Sequence, residues 1–512
     1  MKRFTKIISL ILVILTLFIC ILTSCGDSQE KSPGNNNNNT PDPAETKIGE
    51  ETGAEEIPDS TLFQDAVPEL DFGGYEYRVL LGTYGRKNQE LYPEEQNGDI
   101  LNDTIFLRNK KIEDRFNLEF KATTVNLGEL LGKLQKDVKA GNDAYDMYMQ
   151  IDRDAYSSAA DHLLYPVDRL QYIDLTQPYW CQLPNKQLTV GGRLYWGFSD
   201  DMLSFFESTI LTYFNKKQIA DLGMEDLYNL VRTGNWTQDK LLECAKAAVR
   251  DLDGDGIITE ADNWGIVSDN DYICYSFWSG AGVVTVDKDE NDIPYFAVPG
   301  NQKLFNIATK IISGFKTTEG LALDSSKVKL PSYGGSGVLD GNNTMARISF
   351  FRAGHGLFSI SAITDMVDLR DMPDDFGVLP LPKYNAEQSQ YYSRVIGGFP
   401  FVVPTTNVRP DIAGAVMEAM ACSARNEIIP AYYESALKTK YSRDADTAEM
   451  LDLIFDTRMY DLGDTIWCMT IRVDYTNVFT KGEDTFMSAT DKNETKYSKA
   501  IQKWVDGILG NE

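Results

Sequence analysis

Histidine is nearly absent from this chain, whose 512 residues include only His162 and His355. Most metal centres and nucleophilic triads use histidine, so its scarcity disfavours both classes of active site. The G-x-S-x-G, phosphate-loop and H-E-x-x-H motifs are missing as well. A carboxylate pair for glycoside hydrolysis stays open as an alternative, because 76 acidic residues offer many pairs. We therefore expect a protein that is not an enzyme.

Basic residues are also scarce, with 49 Lys and Arg against 76 Asp and Glu and a net charge of −27. Binding to nucleic acid requires clustered Lys and Arg that displace counterions, so this composition argues against nucleic acid as a partner. It disfavours anionic ligands more weakly, because a local field can oppose the net charge.

The seven cysteines follow no disulfide or zinc spacing. Cys20 and Cys25 lie near the N-terminus, and the other five are expected to be buried free thiols. These five are Cys181, Cys244, Cys274, Cys422 and Cys468.

The N-terminal segment predicts export. Lys2, Arg3 and Lys6 precede an apolar run from residue 7 to 22, whose sixteen positions span about 24 Å as a helix, less than the roughly 30 Å of a bilayer core. The stretch resembles a bacterial lipoprotein signal, which implies cleavage after residue 24 and lipidation of Cys25; an ordinary secretory signal is the alternative. Residues 25–60 are rich in Asn, Pro and acidic residues and predict a disordered tether. We expect an extracytoplasmic protein anchored to the outer face of the cell membrane by its lipid.

The roughly 450 residues that follow exceed a single hydrophobic core, so two lobes are expected. Periodicity predicts strands that alternate with helices, and this predicts an α/β fold with ligands at the carboxyl ends of the strands. Ile151–Ser158 is predicted to be one of the loops at that edge, and Met202–Asn215 an extended strand that crosses between the lobes. The predicted strands are 75–81, 118–124, 145–150, 356–361, 376–381 and 398–404, and the predicted helices are 104–115, 127–140, 236–250, 412–422, 448–458 and 497–509, with Thr237 as a candidate N-cap.

One block carries a specific resemblance. The sequence TYFNKKQIADLGMEDLYNLVRTGNWTQDKLLECAKA, residues 212–247, resembles the crossover strand and following helix of extracellular sugar-type solute-binding proteins of ABC transporters, the maltose-binding-protein-like group. Similar blocks follow at 374–392 (DDFGVLPLPKYNAEQSQYY), 396–404 (IGGFPFVVP), 427–440 (EIIPAYYESALKTK) and 448–463 (AEMLDLIFDTRMYDLG). The resemblance covers residues from about 63 to the end.

This resemblance implies a two-lobed, type II periplasmic-binding-protein-like fold with a hinged cleft between the lobes. By analogy, residues 61–204 and 399–442 form lobe one, and residues 205–398 and 443–512 form lobe two. The hinge is expected near residues 205–207 and at Gly397-Gly398, where glycine tolerates backbone rotation. The implied partners are a small polar ligand and the permease subunits of an ABC importer, with the protein as a monomer.

Carbohydrate is the expected ligand, because sugars stack on aromatic rings while planar polar groups bind their hydroxyls. Peptides, polyamines and other organic solutes stay open. The resemblance and the positions of the residues nominate one set of ligand-binding side chains: Asp152, Arg153, Glu207, Tyr272, Tyr275, Trp278, Arg394 and Trp467.

An acidic loop follows the predicted helix that ends at Arg250. Its spacing matches a calcium loop with side-chain ligands at positions 1, 3, 5, 9 and 12, a backbone carbonyl at position 7, and a glycine, Gly256, at position 6. Those positions are Asp251, Asp253, Asp255, Ile257, Thr259 and Asp262. The sequence therefore predicts one structural Ca²⁺ and no organic cofactor, and a metal-free acidic turn is the alternative.

The function expected from these features is capture of a mono- or oligosaccharide for import. A surface sensor or adhesin that binds without transport is one alternative, and a secreted glycan-active enzyme is another.

Overall fold

The structure is a computed structural model that describes residues 62–83, 92–328, 346–432 and 445–510. These residues belong to one compact unit, 59–512. The predicted signal (1–24), Cys25 and the tether (25–60) lie outside the described residues.

Sixteen α-helices lie within the described ranges. In chain order they are α1 (Ile100–Phe116), α2 (Leu130–Lys139), α3 (Asp152–Ala160), α4 (Gln182–Leu188), α5 (Leu203–Glu207), α6 (Lys216–Asp221), α7 (Leu227–Arg232), α8 (Gln238–Ala248), α9 (Asn270–Gly280), α10 (Gln302–Thr317), α11 (Ala346–Arg352), α12 (Pro410–Ser423), α13 (Ala445–Asp456), α14 (Leu462–Thr465), α15 (Val473–Lys481) and α16 (Phe486–Leu509). None of the helices in this part of the chain is both long and apolar enough to cross a membrane.

The strands were assigned over the same ranges. They are β1 (Tyr75–Thr83), β2 (Leu118–Asn126), β3 (Met147–Met149), β4 (Leu164–Tyr165), β5 (Ile210–Asn215), β6 (Trp264–Ser268), β7 (Val286–Lys288), β8 (Pro294–Phe296), β9 (Ala322–Asp324), β10 (Gly356–Ala362), β11 (Phe376–Leu379), β12 (Ser393–Arg394), β13 (Phe401–Pro404) and β14 (Arg458–Met459).

Two five-stranded sheets form the centre of the fold. The first has the order β2-β1-β3-β13-β4, and β1 pairs in parallel with β2 from Tyr75↔Leu118 to Thr83↔Asn126. The second has the order β11-β5-β10-β6-β9 and mixes parallel with antiparallel pairs. Because β13 follows the second sheet in sequence but pairs with β3 and β4, the chain returns to the first sheet. The predicted two-lobed α/β fold is confirmed, while the exact lobe boundaries stay a prediction.

Local sequence explains several helix boundaries. Thr237 caps α8, since its side chain accepts a hydrogen bond from the Lys240 amide at 3.3 Å, as the sequence predicts. Asp99 caps α1 in the same way through the Asn102 amide at 2.9 Å.

Two predicted segments are wrong. Residues 203–207 of the expected strand Met202–Asn215 form helix α5, and the strand begins only at Ile210. The helical part, LSFFE, has no β-branched residue, whereas Thr209, Ile210 and Thr212 are β-branched and favour the extended conformation. The expected loop Ile151–Ser158 is mostly helix α3, whose first turn carries Asp152 and Asp154. Acidic side chains at that end interact favourably with the helix dipole.

Three chain segments lie side by side where the chain passes from one sheet to the other. Thr209 forms an isolated antiparallel bridge with Val395, and the Ile396 amide donates to the Ser208 carbonyl at 3.2 Å. The Val395 amide donates to the Met459 carbonyl at 3.2 Å, which adds β14 to the group. These contacts bring residues that are distant in sequence to one place.

Candidate functional site

A cavity of about 270 Å³ lies beside these crossing segments and the start of α3. We call it the crossing cavity. Its lining residues are Leu127, Ile151, Asp152, Arg153, Ser204, Glu207, Ser208, Ile396, Gly397, Gly398 and Phe399. Three of the predicted ligand-binding residues, Asp152, Arg153 and Glu207, are therefore placed together, although they come from two regions of the sequence.

The two glycines allow the backbone to approach the cavity wall closely. Gly397 has a φ of +151°, and a Cβ atom there would lie 3.0 Å from Oδ2 of Asp152. A Cβ atom at Gly398 would lie 2.7 Å from the Phe198 ring. A larger residue at position 397 would press on Asp152 of α3, and one at position 398 would press on the Phe198 ring.

Asp152 is the most constrained polar group of the cavity. Its Oδ2 accepts a hydrogen bond from the Tyr460 hydroxyl at 2.7 Å, and its Oδ1 accepts one from the Arg153 amide at 2.7 Å. Its own amide donates to the Gly398 carbonyl at 3.1 Å. Burial raises the pKa of the Asp152 carboxyl to about 6, against the opposing effect of the two donors. The carboxylate is thus held in one orientation at the cavity wall.

Arg153 and Glu207 complete the charged set. Arg153 is exposed and Glu207 is half-buried. Ser204 accepts a hydrogen bond from the Phe399 amide at 2.9 Å, which ties helix α5 to the segment that leads into β13. Two carboxylates and one guanidinium around a cavity of this size can bind several hydroxyl groups of one small ligand.

Arg394 occupies a different environment from the one expected. Its Nε and Nη2 donate to the two carboxylate oxygens of Asp464 at 2.6 and 2.8 Å, and only 1% of its surface is exposed. Nη1 donates to the carbonyls of Asp271 and Tyr272 at 3.1 and 3.3 Å. The donor fork that the sequence assigned to a ligand therefore binds the protein itself.

Arg347 lies in the same group. It donates to Asp269 at 2.8 Å and to Asp365 at 2.9 Å, and its guanidinium lies 4.3 Å from the centre of the Tyr272 ring. We call Arg347, Arg394, Asp269, Asp365 and Asp464 the arginine cluster. Tyr272 is half-buried against it, and burial raises the pKa of its hydroxyl to about 12.

Tyr275 and Trp278 were expected to face a cleft but lie in the core. Each is 1% exposed. The Trp278 indole donates to the Leu304 carbonyl at 3.1 Å and packs edge-on against Tyr475 and Phe486. Helix α9 is buried along most of its length, so its sequence alone does not show which side chains face a ligand.

Trp467 is half-buried in an aromatic group. Its ring packs edge-on against Tyr156 at 5.3 Å, while Tyr156 stacks on Trp504 at 3.6 Å. Trp467 directly precedes a π-helix, Cys468–Arg472, a rare element that is frequent at functional sites. Its assignment as a ligand-binding residue stays a prediction.

Tyr460 was not identified from the sequence, although it binds Asp152 directly. It lies within the block AEMLDLIFDTRMYDLG, and its partner is 308 positions away. That block was the one signal that could have drawn attention to it.

The acidic loop has part of the predicted calcium geometry. Asp251, Asp253 and Asp255 each offer a carboxylate oxygen, and these atoms lie within 4.8 Å of one another. Gly256 has a φ of +84°, as the sharp turn requires. Asp262 departs from the pattern, because its oxygens accept from the amides of Leu252 and Thr259, both at 2.7 Å.

The two other predicted ligand positions of this loop are Ile257 and Thr259, and Thr259 takes part in the Asp262 contact. Thr259 donates its hydroxyl to Asp262 at 3.0 Å, and the Ile257 side chain is 59% exposed. The carboxylates of Asp251, Asp253 and Asp255 therefore lie close together, whereas Asp262 and Thr259 bind each other, and Ca²⁺ binding stays a prediction.

No protein-family model and no curated protein matches the sequence. Solved structures do match. A cyclo/maltodextrin-binding protein complexed with maltotetraose is 15% identical with a TM-score of 0.53, over 85% of this chain and 98% of that one. A maltose/maltodextrin-binding domain from Bdellovibrio bacteriovorus bound to maltotriose is 12% identical with a TM-score of 0.51, over 83% and 100%. An ABC substrate-binding protein from Listeria monocytogenes in complex with cycloalternan is 14% identical with a TM-score of 0.52, over 84% and 99%. This chain has the fold of these proteins, as the resemblance of its sequence blocks predicts.

Proposed function

We propose that the protein is an extracytoplasmic receptor that captures a mono- or oligosaccharide and delivers it to an ABC importer. The crossing cavity carries this proposal, because Asp152, Arg153 and Glu207 line it together beside the crossing segments. Carboxylates accept hydrogen bonds from sugar hydroxyls, and a guanidinium donates to them. The shared fold supports the class of ligand, since three proteins with this fold are known in complex with oligosaccharides.

Release of the ligand requires that the lobes separate. The crossing segments are the places where such a rotation would occur, and Gly397 provides backbone freedom there. A ligand that binds both walls of the cavity stabilises the closed form, which an importer then recognises. The proposal includes no chemical conversion of the ligand.

The direct test uses the full-length chain in detergent with a panel of glycans that includes maltotetraose. A ligand that binds only the folded state raises the melting temperature, and titration calorimetry then gives the Kd. Mass spectrometry of the recovered glycan is the matched control for enzymatic turnover. An unchanged glycan with a raised melting temperature supports the receptor, whereas a cleaved glycan supports the glycan-active enzyme. A panel with no hits contradicts the carbohydrate assignment.

Transport and anchoring have separate tests. We propose that Cys25 carries the lipid, so C25S is expected to move the protein from the membrane fraction to the soluble fraction of the producing cell.

Uptake of a radiolabelled glycan hit by cells that lack this protein distinguishes an importer component from a sensor or adhesin. Lost uptake supports import, and normal uptake supports sensing or adhesion.

We also propose that the acidic loop binds one Ca²⁺ in a structural role. Asp251, Asp253 and Asp255 supply the convergent carboxylates. The ion would stabilise the conformation of the loop between α8 and β6 and would not contact the captured ligand.

A further inference from the structure

Tyr460 is held rigidly beside the crossing cavity. Its side chain is fully buried, and its ring packs against Phe198 at 5.5 Å and Phe205 at 6.3 Å. Its amide donates to Oε1 of Gln187 at 2.6 Å. With the ring and the backbone both fixed, the hydroxyl donates to Oδ2 of Asp152 at 2.7 Å and also lies within hydrogen-bonding range of the Thr465 side chain.

The position of Tyr460 in the chain links this contact to the crossing segments. It follows β14 directly, and β14 pairs in parallel with β12, which leads into the Gly397-Gly398 crossing. Asp152 begins α3 and lines the cavity. The hydrogen bond therefore joins a crossing segment to a residue of the binding wall.

The geometry leaves part of Asp152 available to a ligand. An ionised carboxylate has about four acceptor positions. One is used by the Tyr460 hydroxyl and one by the Arg153 amide. The remaining positions can accept ligand hydroxyls, provided that the carboxyl group is ionised and keeps its orientation.

Several charged groups act on this carboxyl group. Burial favours the neutral form, whereas Tyr460, the Arg153 amide, and the charges of Arg153 and Arg472 favour the ionised form. Glu207 lines the same cavity and adds negative charge. The balance gives Asp152 a pKa of about 6, so the loss of a single donor raises the neutral fraction near neutral pH.

We infer that Tyr460 is a positioning residue, which keeps Asp152 ionised and oriented so that the cavity binds ligand hydroxyls at neutral pH and loses affinity in acid. This inference rests on the proposed function and extends it to the pH dependence of binding. Tyr460 does not contact the ligand in this scheme. It acts through Asp152.

The first experiment follows Asp152 itself in the ligand-free, full-length protein. Carbon-13 NMR of labelled aspartate gives its titration curve, which D152N assigns by the loss of one signal. Y460F is expected to raise the pKa of Asp152, because it removes a donor to the ionised form. Y179F is the matched control: Tyr179 is equally buried and donates to Glu418 at 2.6 Å, away from the crossing cavity. An unchanged Asp152 titration in Y460F would overturn the inference.

A second variant changes the donor in the opposite direction. Replacement of Tyr460 by 3-fluorotyrosine keeps the ring and makes the hydroxyl more acidic, hence a stronger donor. The pKa of Asp152 is then expected to fall below that of the wild type. Opposite shifts in the two variants support a positioning role, whereas shifts in the same direction indicate a structural disturbance and contradict it. This variant also keeps the test decisive if Y460F does not fold.

The last arm measures the Kd of maltotetraose between pH 5 and 8. In the wild type the affinity is expected to fall below pH 6, and in Y460F to be about tenfold weaker at pH 7 and to decline from a higher pH. Y179F is expected to follow the wild-type profile. Wild-type affinity and pH profile in Y460F contradict the inference. If maltotetraose binds none of the proteins, the proposed function fails for this glycan, and the titration of Asp152 alone decides the inference.

Discussion

The crossing cavity and the arginine cluster both contain buried aspartates, but the carboxylate oxygens of these aspartates have different hydrogen-bond and ion-pair partners. Asp464 has both oxygens bound by the Arg394 fork, and its side chain is 0% exposed. Asp152 accepts from one hydroxyl and one amide and still borders a cavity. The first aspartate has its charge matched within the protein, whereas the second keeps acceptor capacity for another molecule. We therefore use free hydrogen-bond acceptor positions beside a cavity, more than burial or charge, to choose Asp152 over Asp464 as a candidate binding residue.

The largest expected effect on the free energy of unfolding comes from removing the Arg394 guanidinium from the arginine cluster. In R394M, Asp464 loses its bidentate partner, and Arg472, at 3.4 Å, is the one ion-pair partner left to it among the described residues. A buried charge without its partner costs about 3–5 kcal/mol, so the free energy of unfolding should fall by that amount in a urea titration at pH 7. R394M with D464L should recover most of the loss. A loss below about 1 kcal/mol in R394M would show that the pair is not structural.

The next effect concerns the pH dependence of stability. Because the folded-state pKa of Asp152 is raised to about 6 from 3.8, this group stabilises the fold below pH 4, and the contribution is lost as the pH rises through 6. The shift corresponds to about 3 kcal/mol. Urea titrations from pH 4 to 7 should show a shallower decline for D152N than for the wild type. Asp461 has a similar pKa and contributes to both proteins equally. Parallel curves for the two proteins would contradict the assignment.

A smaller effect is expected on ligand binding. D152N removes the ionised acceptor but keeps the shape of the side chain. Hydrogen bonds to charged groups contribute about 1.5–3 kcal/mol, so the Kd for the glycan hit should rise about 10- to 100-fold in calorimetry at pH 7. D154N is the control, because Asp154 lies in the same turn of α3 but outside the crossing cavity. Equal losses in both variants would remove Asp152 from the binding site.

The difference between local patterns and long-range contacts explains what the sequence could predict. Strands β1, β2 and β10 and helix α8 follow from alternation, helical spacing and the Thr237 cap, which are local properties. Asp152, Arg153 and Glu207, which the sequence nominated as ligand-binding residues, line one cavity in the structure, and their role in binding stays a prediction. Local patterns do not show that Arg394 meets Asp464 seventy positions later, or that Tyr460 meets Asp152 across 308. The expectation for helix α9 came from the layout of the resembled family, and the structure instead buries Tyr275 and Trp278 in the core.

The exposed acidic loop contains a third group of aspartates, beside those of the crossing cavity and the arginine cluster. The smallest of the predicted effects on stability is expected there. Asp251, Asp253 and Asp255 converge without a basic partner among the ion pairs of the described residues, and each accepts a hydrogen bond from a backbone amide of the loop. The proposed Ca²⁺ would add to these contacts and offset the mutual repulsion of the three carboxylates. The full-length protein in millimolar CaCl₂ should melt roughly 2 °C higher than in EDTA, a gain of about 1 kcal/mol. D253N should abolish the difference, since it removes one carboxylate of the three. D289N is the control, because Asp289 lies outside this loop, in the connection between β7 and β8. The rise in melting temperature stays small because Asp262 already holds the loop through the amides of Leu252 and Thr259. If Ca²⁺ recruits Asp262 as a ligand, these two hydrogen bonds are lost, and if it does not, the ion has one carboxylate ligand fewer. Equal melting in CaCl₂ and EDTA, with no bound calcium by atomic absorption, would show that these amide contacts alone satisfy the loop.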